Sequence, residues 1–168
     1  MSIVEARIMV AKTARHYADI AYKEGGGDDS IFGKWYGGNG APWCAMFVSY
    51  CFAQAKATKL IAAQSKKGFA SCSAATAWFK KNGRLIPTGT ATKGDIAFMN
   101  FSGGSSSDHV GIVLSVNKIT KTMKTVEGNT VNPDGTGDQA HGDGVYLKTR
   151  PFSCIVAVAR PDWDALTS

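Results

Sequence analysis

The order of patterns along this sequence predicts an α+β domain in which N-terminal helices pack on a C-terminal antiparallel β-sheet. Two observations carry that class. Apolar residues recur at helical spacing through the first half. From Gly94 onward the chain breaks into short β-rich runs separated by Gly, Ser, Asn or Pro clusters. A third observation bounds the size: 168 residues, 44% apolar and 19% charged, can bury one core without staples, and there is no internal repeat or low-complexity tract. Residues 1–162 are expected to form one domain, with 163–168 as a tail or the start of a linker.

The elements follow in order. Ser2 with Glu5 three residues later reads as a capping box. The helix it opens carries Val4, Ile8, Ala11, Tyr17, Ala18, Ala21 and Tyr22 at helical spacing, and Gly25-Gly26-Gly27 ends it. A loop rich in glycine and aspartate follows, through Asp28, Asp29, Trp35 and Tyr36. A second helix is predicted from about Cys44 to Lys56, with Phe47, Cys51 and Ala55 inward, and a third from Ser73 to Lys81, stopping at Asn82-Gly83. The runs GDIAFMNF, DHVGIVLSV, TMKTVEGNT, GVYLKTR and CIVAVAR read as strands.

Charge narrows the function classes. Nineteen basic against thirteen acidic residues give a net +6, but the lysines are scattered and no RNA or DNA motif appears, so a solvated basic surface is expected and not a nucleic-acid stripe. Glu5, Arg7 and Lys12 interrupt any signal-peptide core, and no apolar stretch approaches membrane-spanning length. The chain is expected to be made without its own secretion signal and without membrane insertion. Cys44, Cys51, Cys72 and Cys154 form no CxxC pair, so neither a zinc site nor a disulfide framework is predicted.

The stretch NGAPWCAMFVSYC concentrates the chemistry. Pro42 keeps Ala41 out of helical geometry, so the helix starts at about Cys44, where unpaired N–H groups and the positive dipole end favour a thiolate over the free thiol's pKa of roughly 8.5. Cys51 lies two turns into that helix, Cys72 in a polar loop and Cys154 at a strand start, and all three read as structural. Among three histidines, His16 reads as surface or packing and His141 lies in the loop NPDGTGDQAHGDG. His109 begins a strand whose alternation places His109 and Gly111 on one face and Val110 and Ile112 on the core face. A hairpin turning within Asn117–Lys121 returns the segment 127–130 beside His109, where either Glu127 or Asn129 can accept a hydrogen bond from one imidazole nitrogen. Nucleophile, base and orienter thus appear in one chain.

These residues resemble the CHAP family, cysteine, histidine-dependent amidohydrolases and peptidases of papain-like fold. The resemblance rests on PWCAMFVSYC, KGDIAFM, DHVGIVLSV and VEGNT, and FGKWYGGNGAPWCAMFVS is especially similar to catalytic domains of phage endolysins. NlpC-type peptidases share the GDI…HVGI texture, but their nucleophile usually sits in a DCSGF-like stretch and their third group is usually histidine, which favours CHAP here. The resemblance implies Cys44 as nucleophile, His109 as base, Glu127 as orienter of the imidazole and Asn129 as a further polar site residue. It implies bacterial peptidoglycan as substrate, cut at the N-acetylmuramoyl-L-alanine amide or within the stem or cross-bridge, outside the cytoplasm. Nothing in the sequence demands more than a monomer. Trp35, Tyr36 and Trp43 are the substrate-groove residues weighed against a role as hydrophobic anchors. No cofactor is expected. Asp28-Asp29 is the only acidic pair ahead of the cysteine and lacks the alternating pattern of calcium-binding members of the family. The rivals are a non-catalytic wall-binding module and a cysteine amidase acting on a soluble amide.

Overall fold

The computed structural model describes residues 1–167, and Ser168 lies outside them. Helix α1 spans Ile3–Asp19 and opens on the predicted capping box: Glu5 N–H donates to Ser2 Oγ at 3.2 Å, and Ser2 N–H donates to Glu5 Oε2 at 2.7 Å. Its buried face is Ala6, Val10, Ala11 and Ala14, packed toward α3 (Cys44–Gln54), whereas Val4 and Ile8 are 65% and 49% exposed. The small side chains take the interhelix seam, and the larger apolar pair expected on the same stripe faces solvent. The helix also ends earlier than the glycine run suggested. Ala21 adopts a left-handed φ of +51°, and Tyr22 folds back onto Tyr17, Phe32 and Trp43.

The segment expected as loop contains a short helix, α2 (Ile31–Tyr36), capped by Ser30 and closed by Gly37 at φ +98°. Helix α4 (Cys72–Lys81) is capped by Ser71, whose Oγ accepts from Ala74 N–H at 3.2 Å. It therefore begins one residue before the predicted Ser73 and takes Cys72 out of the polar loop.

The strands are β1 (Leu85–Ile86), which was not predicted, β2 (Ile96–Met99), β3 (His109–Asn117), β4 (Thr122–Thr130), β5 (Gly144–Pro151) and β6 (Ile155–Ala159). They form one sheet in the order β1-β6-β2-β3-β4-β5 with antiparallel pairing throughout. Helices first and an antiparallel sheet second is the α+β arrangement the sequence predicts, in agreement with the papain-like fold the resemblance implies. The main core joins Phe47, Val48 and Phe52 of α3 to Val110, Ile112 and Val126 of the sheet, and a second cluster holds Met99, Val113, Met123 and Val158.

The KGDIAFM stretch locks β2 to this frame. Gly94 sits at φ +87°, where a Cβ would stand 3.3 Å from the Arg7 carbonyl oxygen. Asp95, fully buried, receives Arg160 Nε at 3.1 Å and Nη2 at 2.7 Å. At the far end, Trp163 is buried and stacks on Phe52 at 5.6 Å, and Ala165 and Leu166 are partly buried against the same core, so packing extends into the stretch expected as tail. No helix among the described residues is long and apolar enough to cross a membrane.

Candidate active site

Cys44 is the first residue of α3, and the chain entering it is fixed from three sides. Trp43 is fully buried, stacked on Phe32 at 5.4 Å and edge-on to Tyr22, and its Nε1–H donates to Glu24 Oε1 at 3.4 Å. Its backbone N–H donates to Asn129 Oδ1 at 3.3 Å. Gly128 lets β4 press against this corner: a Cβ there would lie 2.8 Å from both Phe47 Cβ and the Trp43 ring. Helix α3 packs on β3 and β4, which brings Cys44 to the strand end where His109 stands. The first-turn N–H groups of a helix have no intrahelical partner and favour negative charge, so the thiol occupies an anion-stabilising position.

His109 and Glu127 are fully buried, and His109 Nε2 lies 2.9 Å from Glu127 Oε1. Glu127 is held further by Arg150, whose Nε donates to Oε2 at 2.9 Å and Nη2 to Oε1 at 2.6 Å, and by Thr125 Oγ1–H donating to Oε2 at 2.5 Å. With Nε2 committed, the other ring nitrogen, Nδ1, is buried without a hydrogen-bond partner among the described residues and is the one left for Cys44. In this resting geometry the Cys44 sulfur pairs instead with Cys72 Sγ at 3.9 Å.

The electrostatics follow from these contacts. The Cys72 thiol, the His109 ring and the Ala45 N–H together hold the Cys44 pKa well below that of an ordinary thiol, against the effect of burial. Cys72 moves the other way, pushed up by its hydrogen bond to Cys44 and by burial. The thiolate belongs to Cys44 because the imidazole lies on its side of the pair. Burial disfavours a charged His109, but Cys44 and Glu127 outweigh it and raise the ring's pKa to about 9. Burial likewise opposes the Glu127 charge, yet His109 and Arg150 hold its pKa at about 2. Negative and positive groups therefore alternate along Cys44, His109, Glu127 and Arg150.

The other predicted residues divide. Asn129 does not bond His109, so of the two orienters left open by the sequence it is Glu127 that holds the ring. Asn129 breaks the strand alternation with φ +55°, and its Nδ2 donates to Asp28 Oδ1 at 3.2 Å and Gly142 O at 2.9 Å, making it the staple of the Trp43 corner. Trp43 has no exposed surface to offer a substrate and is the hydrophobic anchor of that corner. Trp35 and Tyr36 are half-buried on α2. Lys67 Nζ sits 5.4 Å from the Trp35 ring centroid, and Ser65 Oγ–H donates to Tyr36 Oη at 3.3 Å. Asp28 accepts from Asn129, and Asp29 accepts from Asn39 at 2.7 Å and pairs with Lys34 at 3.0 Å. Among the described residues, no group of three His, Cys, Asp or Glu side chains is placed to hold a metal.

Sequence reading missed Cys72, Thr125 and Arg150. Ser71 gave a usable signal for the first: read as an N-cap, it makes Cys72 the opening residue of a helix, as Cys44 is. Nothing local marks Arg150, because it sits opposite Met123 in the sheet register and reaches Glu127 along the strand face.

The CHAP-domain family model matches residues 35–129, more than half of the chain, and the matched stretch contains Cys44, His109, Glu127 and Asn129. No curated protein and no solved structure matched. With a buried thiol at a helix start, an imidazole beside it and a family match spanning both, the chain belongs to the CHAP family of cysteine, histidine-dependent amidohydrolases and peptidases.

Proposed function

We propose that this domain hydrolyses an amide of bacterial peptidoglycan, as an endolysin-type N-acetylmuramoyl-L-alanine amidase or a stem or cross-bridge endopeptidase. The observation that carries the reading is the buried Cys44, His109 and Glu127 set, with Nε2 committed to the carboxylate and Nδ1 unpaired. A wall-binding module has no use for a depressed thiol or for an imidazole fixed by a buried carboxylate. A soluble amide could use the same chemistry, so the substrate arm of the test includes one.

The Cys44 thiolate attacks the substrate carbonyl carbon, and the N–H groups at the start of α3 receive the developing oxyanion. The His109 imidazolium gives its proton to the leaving amine, leaving a thioester. Neutral His109 then takes a proton from water as it attacks the thioester, and the Cys44 sulfur departs as thiolate, restoring its pair with the imidazolium. Glu127 holds the ring with its proton-carrying edge toward sulfur. All of these groups come from one chain, so no second subunit is needed to complete the site. The net charge of +6 favours approach to anionic wall polymers.

The test is mass spectrometry of fragments released from purified peptidoglycans, with Cys44→Ala and His109→Ala in parallel and a small soluble amide alongside. New L-alanine amines seen only with wild type mean amidase, and freed stem or bridge amines mean endopeptidase. Cleavage confined to the soluble amide, or release that persists in both variants, would sink this reading.

A further inference from the structure

Behind the imidazole lies a second charged group that the reaction as described does not use. Arg150 is 8% exposed and its guanidinium is engaged on every side. Nε and Nη2 form a two-pronged pair with the Glu127 carboxylate at 2.9 and 2.6 Å, and Nη1 donates to Gln139 Oε1 at 3.0 Å. The guanidinium carbon lies 4.5 Å from the Phe101 ring centroid, and that ring in turn lies 5.8 Å from the His109 ring. Both Glu127 oxygens are thereby saturated: Oε1 by His109 and Arg150, Oε2 by Arg150 and Thr125.

Resting on the catalytic reading above, we propose that Arg150 is a positioning residue for the Cys44–His109 pair, fixing the plane of the Glu127 carboxylate and balancing its charge so that Glu127 stays ionised and Cys44 stays a thiolate. The geometry supplies two reasons. A planar fork sets carboxylate orientation in a way a single donor does not, and that orientation sets the ring. Without Arg150, the buried thiolate, imidazolium and carboxylate would carry one uncompensated negative charge. The site then has two ways out: protonate Glu127, which loosens the ring, or reprotonate Cys44, which removes the nucleophile. The other ionisable groups packed around the site do not substitute. Cys72 of α4 faces Cys44 and feels Asp108, Cys154 precedes β6, and Lys148 of β5 donates to Gln139 at 3.1 Å and not to the carboxylate.

The experiment compares Arg150→Met, Arg150→Gln and Arg150→Lys with wild type. Each is read by the pH profile of wall hydrolysis and by the pH dependence of iodoacetamide labelling at Cys44, mapped by mass spectrometry. Loss of the positive charge is expected to move both limbs of the hydrolysis profile, and the Cys44 labelling midpoint, upward by about one pH unit. Hydrolysis near neutral pH should fall about 10–100-fold. Arg150→Lys should keep the limbs in place and recover part of the rate. A packing role alone would lower the rate with unmoved limbs and no rescue by lysine, and that result overturns the proposal. If Arg150→Met does not fold, the Gln–Lys comparison reads charge at matched polarity. Hydrolysis that survives Cys44→Ala overturns the catalytic reading beneath it, whereas Cys44-dependent hydrolysis with unmoved limbs overturns only the part assigned to Arg150.

Discussion

Gly111 is where β3 makes room for Glu127, and filling that room gives a sharp test of how tightly the carboxylate must be held. A methyl at Gly111 would stand 2.7 Å from Glu127 Cγ and 3.0 Å from the Val126 carbonyl oxygen, where ordinary contact begins at 3.4 Å. The carboxylate side chain would have to retreat by the difference, 0.7 Å. It is tethered at both oxygens by His109, Arg150 and Thr125, so it cannot swing aside freely. A retreat of 0.7 Å along the 2.9 Å bond to His109 would carry it beyond hydrogen-bond range. Overpacking of this kind costs about 2 kcal/mol, or a fall of about 6 °C in Tm for a chain of this size. Misplacing the imidazole by a fraction of an ångström to an ångström costs about 100-fold in rate. The assay is dye release from labelled peptidoglycan by Gly111→Ala, run at least 15 °C below its calorimetric Tm so that essentially all of the protein is folded. A rate within about threefold of wild type would show that the carboxylate can move without consequence, and the orienting role given to Glu127 would fail.

Three further outcomes are expected. Cys72→Ala removes the thiol that contributes most to holding the Cys44 thiolate, so the pH midpoint of Cys44 alkylation should rise; an unmoved midpoint would leave the helix start and His109 as its sole stabilisers. Stability should fall on the acid side. Glu127, depressed from 4.5 to about 2, adds stability above 4.5 that is lost as pH falls toward 2, whereas from pH 6.5 toward 9 the raised His109 and the depressed Cys44 hold one proton between them in both the folded and the unfolded chain and offset each other. Urea unfolding from about pH 2 to 9 checks the acid slope, which Glu127→Gln should flatten, and the absence of a slope from the pair. Asn129→Ala gives up three hydrogen bonds, one of them buried and two partly so, and places a Cβ residue with no side-chain compensation at φ +55°, a loss of about 3 kcal/mol, whereas Asn129→Gly should lose less because glycine accepts that φ; equal urea midpoints for the two would count against the strain.

Those variants also mark where sequence reading succeeds and where it stops. The α+β order, the sheet runs, the helix start at Cys44 and the strand start at His109 were legible because each depends on local rules: caps, breakers and periods of 3.6 or 2. Glu127 and Asn129 were both visible, and the family resemblance pointed to Glu127, but strand alternation could not choose between them, because the choice depends on a left-handed φ at Asn129 that turns its side chain out of that alternation toward Trp43. Helix α2 was lost in a glycine-rich stretch, although Ser30 and Gly37 mark its two ends.

Arg150 shows a deeper limit. Read by alternation, Lys148 and Arg150 belong to a polar, solvent-facing side of β5 and Leu147 to the buried side, yet both cations are buried and Leu147 is 38% exposed. The inversion has a physical cause. Glu127 carries a charge into the interior of β4, and the neighbouring strand must answer with a cation on the same face, so the face that looks polar in sequence is the buried one. A buried carboxylate read from sequence should therefore prompt a search for its cation on the adjacent strand at the same parity. Here the pairing of Glu127 with Tyr146 fixes that parity and leaves Lys148 and Arg150 as the two choices. Of these, the guanidinium alone offers a planar fork that can occupy both oxygens while the imidazole keeps its place on one of them.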